Sequence, residues 1–204
     1  MHILPIMCIL AMMNITVLAK KGGVGKSTVS VLLYEALKQA GKTVSIRDWD
    51  AQGTSSKALR SIVKNDAAAS NGSRPAPGAD IVIYDTPPNL EHTATATAVR
   101  AADIILVVTS PSPADIWEAE DAATFVRSRN SGSQVRLLFN KVRRLTVLGR
   151  LVEESAKEVS VPALAKMISA RECYQHAIAQ GWKALDSAAR EEVLQLTVSV
   201  LALK

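Results

Sequence analysis

An α/β fold of three layers, a mostly parallel central sheet flanked by helices, is what this sequence predicts, and three observations predict it. Apolar, β-branched runs alternate with helix-length segments along the chain. Those runs are apolar almost without interruption, as strands covered on both faces of a parallel sheet must be. The first of them leads directly into a glycine-rich turn and then a helical stretch, the junction on which α/β domains hold phosphate. The 204 residues suffice for one sizeable core and are too few for two comfortable domains.

The elements follow in order. Residues 1–19 contain no Lys, Arg, Asp or Glu. A secretory leader would need a basic start, and a membrane span would consume Ile15–Ala19, which has to serve as the first strand. The expectation is that Met12 or Met13 is the natural start, that residues 1–13 are an extension without a structural role, and that a single domain covers 14–204. Val29–Ala40 reads as the first helix, and Thr43–Ile46, Asp80–Tyr84, Ile104–Thr109 and Val135–Phe139 as further strands. Asp66–Gly78, rich in Ala, Ser, Gly and Pro, is expected to be a surface loop, because strand signals resume at Asp80. Beyond Ser160 come a short apolar run, Val161–Ala165, and helices near Ala170–Gln180 and Asp186–Leu203. The last is apolar on most sides and reads as a packed helix. A membrane-seeking helix would carry a basic face, and after Arg190 only Lys204 is basic.

Charged residues make up 21% of the chain and the net charge is +5, values of an ordinary soluble globular protein that an acidic partner could meet. Cys8 and Cys173 stand far apart and form no ligand motif, which fits a reducing cytosol and excludes a disulfide scaffold or a cysteine-ligated cluster.

The chemistry is concentrated in Lys20–Thr28, KKGGVGKST. Gly22, Gly23 and Gly25 remove the Cβ atoms that would keep backbone N–H groups from turning onto phosphate oxygens, with Val24 and Thr28 completing the cradle. Lys26 is placed for the β- and γ-phosphates and the Ser27 hydroxyl for Mg²⁺. The common phosphate-loop pattern would have its first glycine at position 20; a lysine stands there, and another at Lys21. Three strand ends agree with the loop. Asp48 and Asp50, one residue apart where a strand gives way to a turn, can both face a metal–phosphate site. Ile81–Tyr84 is an apolar strand ending in Asp85, the form in which a carboxylate holds a hydrated Mg²⁺. Ser110-Pro111-Ser112-Pro113 and Asn140-Lys141 close two later strands on the same edge of the sheet. Both of these are equally well read as ordinary strand-to-helix connections.

Lys21-Gly22-Gly23-Val24-Gly25-Lys26-Ser27 resembles the deviant Walker A motif of the ParA/MinD ATPases, and the resemblance extends over roughly residues 15–181. It implies a P-loop NTPase fold binding ATP and Mg²⁺, with Lys21, Lys26 and Asp50 as catalytic residues. Lys21 would reach the phosphates of a partner in an ATP-bound homodimer, and Asp50 would orient or activate water. Ser27, Asp48 and Asp85 would hold the metal, and Pro111 and Asn140 would contact adenine. Arg47, Trp49 and Ala51 depart from the family's pattern around Asp48, where an apolar residue and a proline are usual.

The compact size is similar to that of the small ParA-type partition ATPases of plasmids and mobile elements. That implies nonspecific DNA binding by the ATP-bound dimer, slow hydrolysis stimulated by a centromere-binding ParB-like protein, and a cytoplasmic, nucleoid-associated location without membrane binding. Residues 122–152 contain no acidic residue but hold Arg127, Arg129, Arg136, Lys141, Arg143, Arg144 and Arg150. This block would neutralise phosphates without reading sequence. Arg143, Arg144, Arg150 and Arg171 are the expected DNA contacts; the alternative is a solvated basic face spread over several elements. The competing functions are a positioning ATPase for a protein cargo and a metabolic ligase of the dethiobiotin-synthetase type.

Overall fold

The computed structural model describes residues 12–62 and 78–204. Residues 1–11 of the expected extension and 66–77 of the expected loop lie outside them. Five strands, β1 (Met13–Leu18), β2 (Val44–Asp48), β3 (Ile81–Asp85), β4 (Ile104–Thr109) and β5 (Gln134–Phe139), form one parallel sheet in the order β2-β3-β1-β4-β5. The helices are α1 (Lys26–Gln39), α2 (Thr54–Ile62), α3 (Thr93–Ala101), α4 (Pro113–Arg127), α5 (Val147–Arg150), α6 (Val152–Ala156), α7 (Glu172–Gln180) and α8 (Ser187–Leu201). β1 begins at Met13, two residues before the expected strand. The Met13 N–H donates to the Asp80 carbonyl at 2.9 Å and the Asn14 N–H to the Asp103 carboxylate at 2.7 Å, so both residues are already held between neighbouring strands.

Alternation along the strands sorts the helices into two layers. On β4, Ile104, Leu106 and Val108 pack with Leu33 and Leu37 of α1, Leu59 of α2, Tyr174 of α7 and Val193 and Leu196 of α8. Ile105 and Val107 face Val99 of α3, Ile116 and Val126 of α4 and Val152 of α6. The buried Thr16 hydroxyl on this second face donates to the Ala98 carbonyl of α3 at 3.0 Å. The C-terminal helices close over α1: the buried Glu35 carboxylate accepts the Trp182 N–H at 2.7 Å, just after α7.

The expected apolar run at Val161–Ala165 is part of an irregular stretch that covers the outer side of β5. Leu137 exchanges hydrogen bonds with Pro162 and Leu164, and Ile168 and Ala170 bond to Phe139 and Val142. This shields an otherwise open strand edge and ends beside the C-terminal ends of the strands. With β1 central, the chain leaves it for β2 on one side and later for β4 on the other. The crevice this creates at the end of β1 is the ligand position of open α/β sheets.

Candidate nucleotide-binding site

The glycine-rich loop between β1 and α1 holds a conformation its glycines make possible. Gly23 and Gly25 have φ of 82° and 98°. A Cβ on Gly25 would also lie 2.2 Å from Nδ2 of Asn140, so only glycine fits. That close approach is functional geometry, because the Asn140 amide donates to the Val24 carbonyl at 2.8 Å. Lys141, itself at φ 57°, donates from Nζ to the Gly23 carbonyl at 2.6 Å. The Asn-Lys pair thus braces the loop from β5. Asn140 and Lys141 also line the cavity beside it, together with Arg143 and Arg171.

Helix α1 begins at Lys26, three residues before the expected start, with its N-terminal N–H groups facing the loop's concavity. Lys26 is buried. Desolvation lowers the pKa of its ammonium, opposed by the negative charges of Asp85 and Asp50. Asp85 is fully buried at the end of β3, and neither carboxylate oxygen has a hydrogen bond. Burial raises its pKa to about 6 and Asp48 adds to the rise. The Ser27 and Ser55 hydroxyls lie near enough to favour the anion, without closing a well-formed hydrogen bond, and Lys26 favours it as well. An orphaned hard carboxylate beside a serine hydroxyl suits Mg²⁺, which takes oxygen ligands and keeps much of its water. Among the described residues no three His, Cys, Asp or Glu side chains group as a metal site. A cation here would therefore lean on phosphate oxygens.

Asp48 pairs in register with Asp85 across β2 and β3. Its two oxygens accept the N–H groups of Asp50 at 3.0 Å and Ser56 at 2.9 Å, so it folds the turn and anchors the start of α2. The turn forms with Ala51 in the usual proline position. Arg47 and Trp49 point to the opposite face, where the guanidinium stacks 5.0 Å from the Trp49 ring and 5.4 Å from Tyr84. The unusual charge is therefore accommodated away from the carboxylates.

The two extra lysines leave the loop outward. Lys21 pairs with Asp115 at 2.5 Å, and the same carboxylate accepts the Ser110 hydroxyl at 2.5 Å. This partner raises the Lys21 pKa. Lys20 pairs with Glu118 and Asp121, each at 2.7 Å. Both lysines thus rest on α4 of their own chain.

At the other end of the loop lies an open cavity of about 940 Å³, lined among others by Thr28, Pro111, Asn140, Val147, Ser169 and Tyr174. Pro111, Val147, Leu148 and Tyr174 among polar neighbours give it the mixed lining that suits a planar base. Arg143 and Arg171 share this rim, and Arg150 folds back onto the Leu145 carbonyl at 3.1 Å. Arg127 ends α4 and Arg129 lies just beyond it, before β5 begins; they are engaged by the Ser160 carbonyl and the Phe125 ring. The six residues of β5 separate the two groups by roughly 17 Å. The basic block of the sequence is divided in space, and only its later half accompanies the nucleotide cleft.

Residues 15–183 match the family model described as the CobQ/CobB/MinD/ParA nucleotide binding domain. The chain belongs to this family. Two relatives carry the name "Maintenance of carboxysome distribution protein A". That of Gloeobacter kilaueensis is 33% identical over 82% of this chain and 81% of its own length, and that of Halothiobacillus neapolitanus 26% identical over 83% and 85%. The septum site-determining protein MinD of Pyrococcus horikoshii, solved with Mg-ADP, superposes with a TM-score of 0.71 at 16% identity, covering 94% of this chain and 97% of its own. The family match begins inside β1 and ends just past α7, so it spans the loop, all three aspartates, the Asn-Lys brace and the wall of the cavity.

Two participants carry no sequence signal. Asp115 stands in a helix start with nothing to mark it as the partner of Lys21. Ser55, beside the Ser56 that Asp48 anchors, has no spacing that singles it out.

Proposed function

We propose that the chain is an ATP-switched positioning ATPase that distributes a macromolecular cargo over nonspecific DNA. The observation that carries this reading is Lys21: a second lysine of the phosphate loop, itself half-exposed, aimed away from its own phosphate site and paired with the largely buried Asp115 carboxylate. A cation placed there serves a second molecule.

The chain's own residues supply the steps. The loop N–H groups and Lys26 take up the β- and γ-phosphates, and the phosphate charge returns Lys26 to an ordinary ammonium environment. Ser27 and Asp85, with Asp48 behind them, hold Mg²⁺, which when bound neutralises charge on the phosphate oxygens. Asp50 orients the attacking water. Lys21 leaves Asp115 for the partner's phosphates in a nucleotide-bound homodimer, which ties pairing to ATP. Pairing doubles the arginine groups Arg143, Arg144, Arg150 and Arg171, and the gain in phosphate contacts retains DNA. Hydrolysis, slow until a cargo-borne partner acts, releases it. The names of the two carboxysome-distribution relatives support positioning of a protein assembly; a DNA cargo with a ParB-like partner uses the same cycle. The reading places the protein in the cytoplasm, on the nucleoid.

The test is DNA co-sedimentation without nucleotide and with ADP, ATP or a slowly hydrolysed ATP analogue. Retention only with ATP-like ligands, weakened by salt and abolished by Lys26→Ala, is expected. Retention indifferent to nucleotide would sink the switch, and retention unaffected by Arg143→Ala with Arg171→Ala would move the DNA surface elsewhere.

A further inference from the structure

One wall of the open cavity is built from Ser169, Ala170, Arg171 and Tyr174. Residues 169–171 belong to no helix or strand, so their placement has to come from specific bonds. One edge is fixed by β5's extension, where Val142 donates to Ile168 at 3.0 Å and accepts from Ala170 at 2.9 Å. The other is fixed by one side chain from the far end of the chain, Glu192 in the middle of α8. Its Oε1 accepts the Ser169 N–H at 2.7 Å and the Tyr174 hydroxyl at 2.8 Å. Its Oε2 accepts the Ser169 hydroxyl at 2.7 Å, with an Arg171 guanidinium nitrogen at 3.8 Å.

Three donors converge on two oxygens with the Arg171 guanidinium close by, and a carboxylate, which has two acceptor oxygens, is the side chain that suits them. Covering the sheet does not explain this residue. α8 does that with Ala189, Val193, Leu196 and Val200, an apolar stripe at helical spacing. Glu192 stands beside the stripe, largely buried at 15% side-chain exposure, and every group it holds lies in the cavity wall.

We propose that Glu192 is the positioning residue for base recognition: it fixes the Ser169–Arg171 wall so that its backbone groups and Arg171 discriminate one purine edge from another. This rests on the nucleotide reading of the site. Adenine and guanine differ in where donors and acceptors lie on the same ring frame, so discrimination needs wall groups held to within a few tenths of an ångström. Glutamine at this position keeps one acceptor oxygen and sets an NH2 group against either the Ser169 N–H or Arg171, so the wall loosens while the apolar stripe stays whole.

The experiment measures binding of Mg-ATP, Mg-GTP and Mg-tripolyphosphate to the full chain, its Glu192→Gln and Tyr174→Phe variants and an exposed α8 control, Val198→Ala, with thermal melts of each. Wild type is expected to prefer ATP over GTP at least tenfold. Glu192→Gln should weaken ATP by about tenfold and bring the two purines within about threefold of each other, with tripolyphosphate unchanged. Tyr174→Phe removes one donor and should move selectivity in the same direction by less, which keeps the test intact if Glu192→Gln folds poorly. Unchanged purine selectivity in both variants, or equal losses for ATP and tripolyphosphate, would overturn the proposal and leave Glu192 a fastener of the fold. Wild type that binds tripolyphosphate but not ATP would refute the base reading, and wild type that binds neither would refute the nucleotide reading itself.

Discussion

The phosphate end and the base end of the cleft are built in opposite ways. At the phosphate end the loop is one continuous stretch, 20–28; Lys26 is buried at its end, and Asp85 is buried with neither carboxylate oxygen hydrogen-bonded. At the base end the wall is assembled from segments near 110, 140 and 170, and its polar groups are already bonded to one another. One end leaves buried charge where a charged ligand can meet it. The other is braced from within by Asn140 and Glu192, and under the proposal above it selects by where its wall presents donors and acceptors. Buried charge without a partner costs stability, so the molecule keeps that cost at the point where binding energy can offset it.

The largest effects should follow from breaking the phosphate end. Gly25→Ala, which forces a left-handed residue and a clash with Asn140, and Lys26→Ala should each lower Mg-ATP affinity by about 100-fold or more, read by calorimetry. Asp85→Asn should weaken Mg-ATP by roughly 30-fold and abolish its dependence on Mg²⁺.

The same variant exposes a pH effect in the free protein. Asp85 binds its proton more tightly folded than unfolded, with its pKa raised from 3.8 to about 6. Between those values the native state holds more protons, so this group makes stability fall as pH rises. Above pH 6 the loss amounts to roughly 3 kcal/mol. Urea midpoints should therefore favour pH 5 over pH 7 in wild type by more than in Asp85→Asn; equal pH slopes would mean that Asp85 is solvated in solution.

An intermediate effect belongs to the loop's outward lysine. Lys21→Ala should keep Mg-ATP affinity within about threefold while abolishing ATP-dependent pairing in sedimentation velocity. Asp115→Ala should shift pairing to lower protein concentration. The smallest effect is expected at the base end, where Val147→Ala should cost Mg-ATP about two- to threefold and tripolyphosphate nothing.

The contrast between the ends also explains what was legible in the sequence. The strands, the layers and the loop are local patterns, and residues 13–62 came close to expectation because glycine conformations, apolar runs and charge positions are all set within a few neighbours. Asp85 was found because a strand's last residue has one place to be. The base end depends on side chains meeting across the fold. Neither the bond from Asn140 to Val24 nor that from Glu192 to Ser169 has a signature at fixed spacing. Whether the basic block makes one surface is likewise not written in its spacing, because β5 lies between Arg127 and Arg129 on one side and Arg143, Arg144 and Arg150 on the other.

The packing of α7 and α8 against α1 has a consequence for how the molecule is made. α1 carries the phosphate loop's lysine near the start of the chain, yet its buried Leu33, Leu37 and Glu35 meet partners from 174 onward. During synthesis these surfaces remain bare until α7 and α8 leave the ribosome. The helix that carries the phosphate loop's lysine is therefore covered well after it is made, and a ribosome stalled short of α8 would leave its outer apolar face bare.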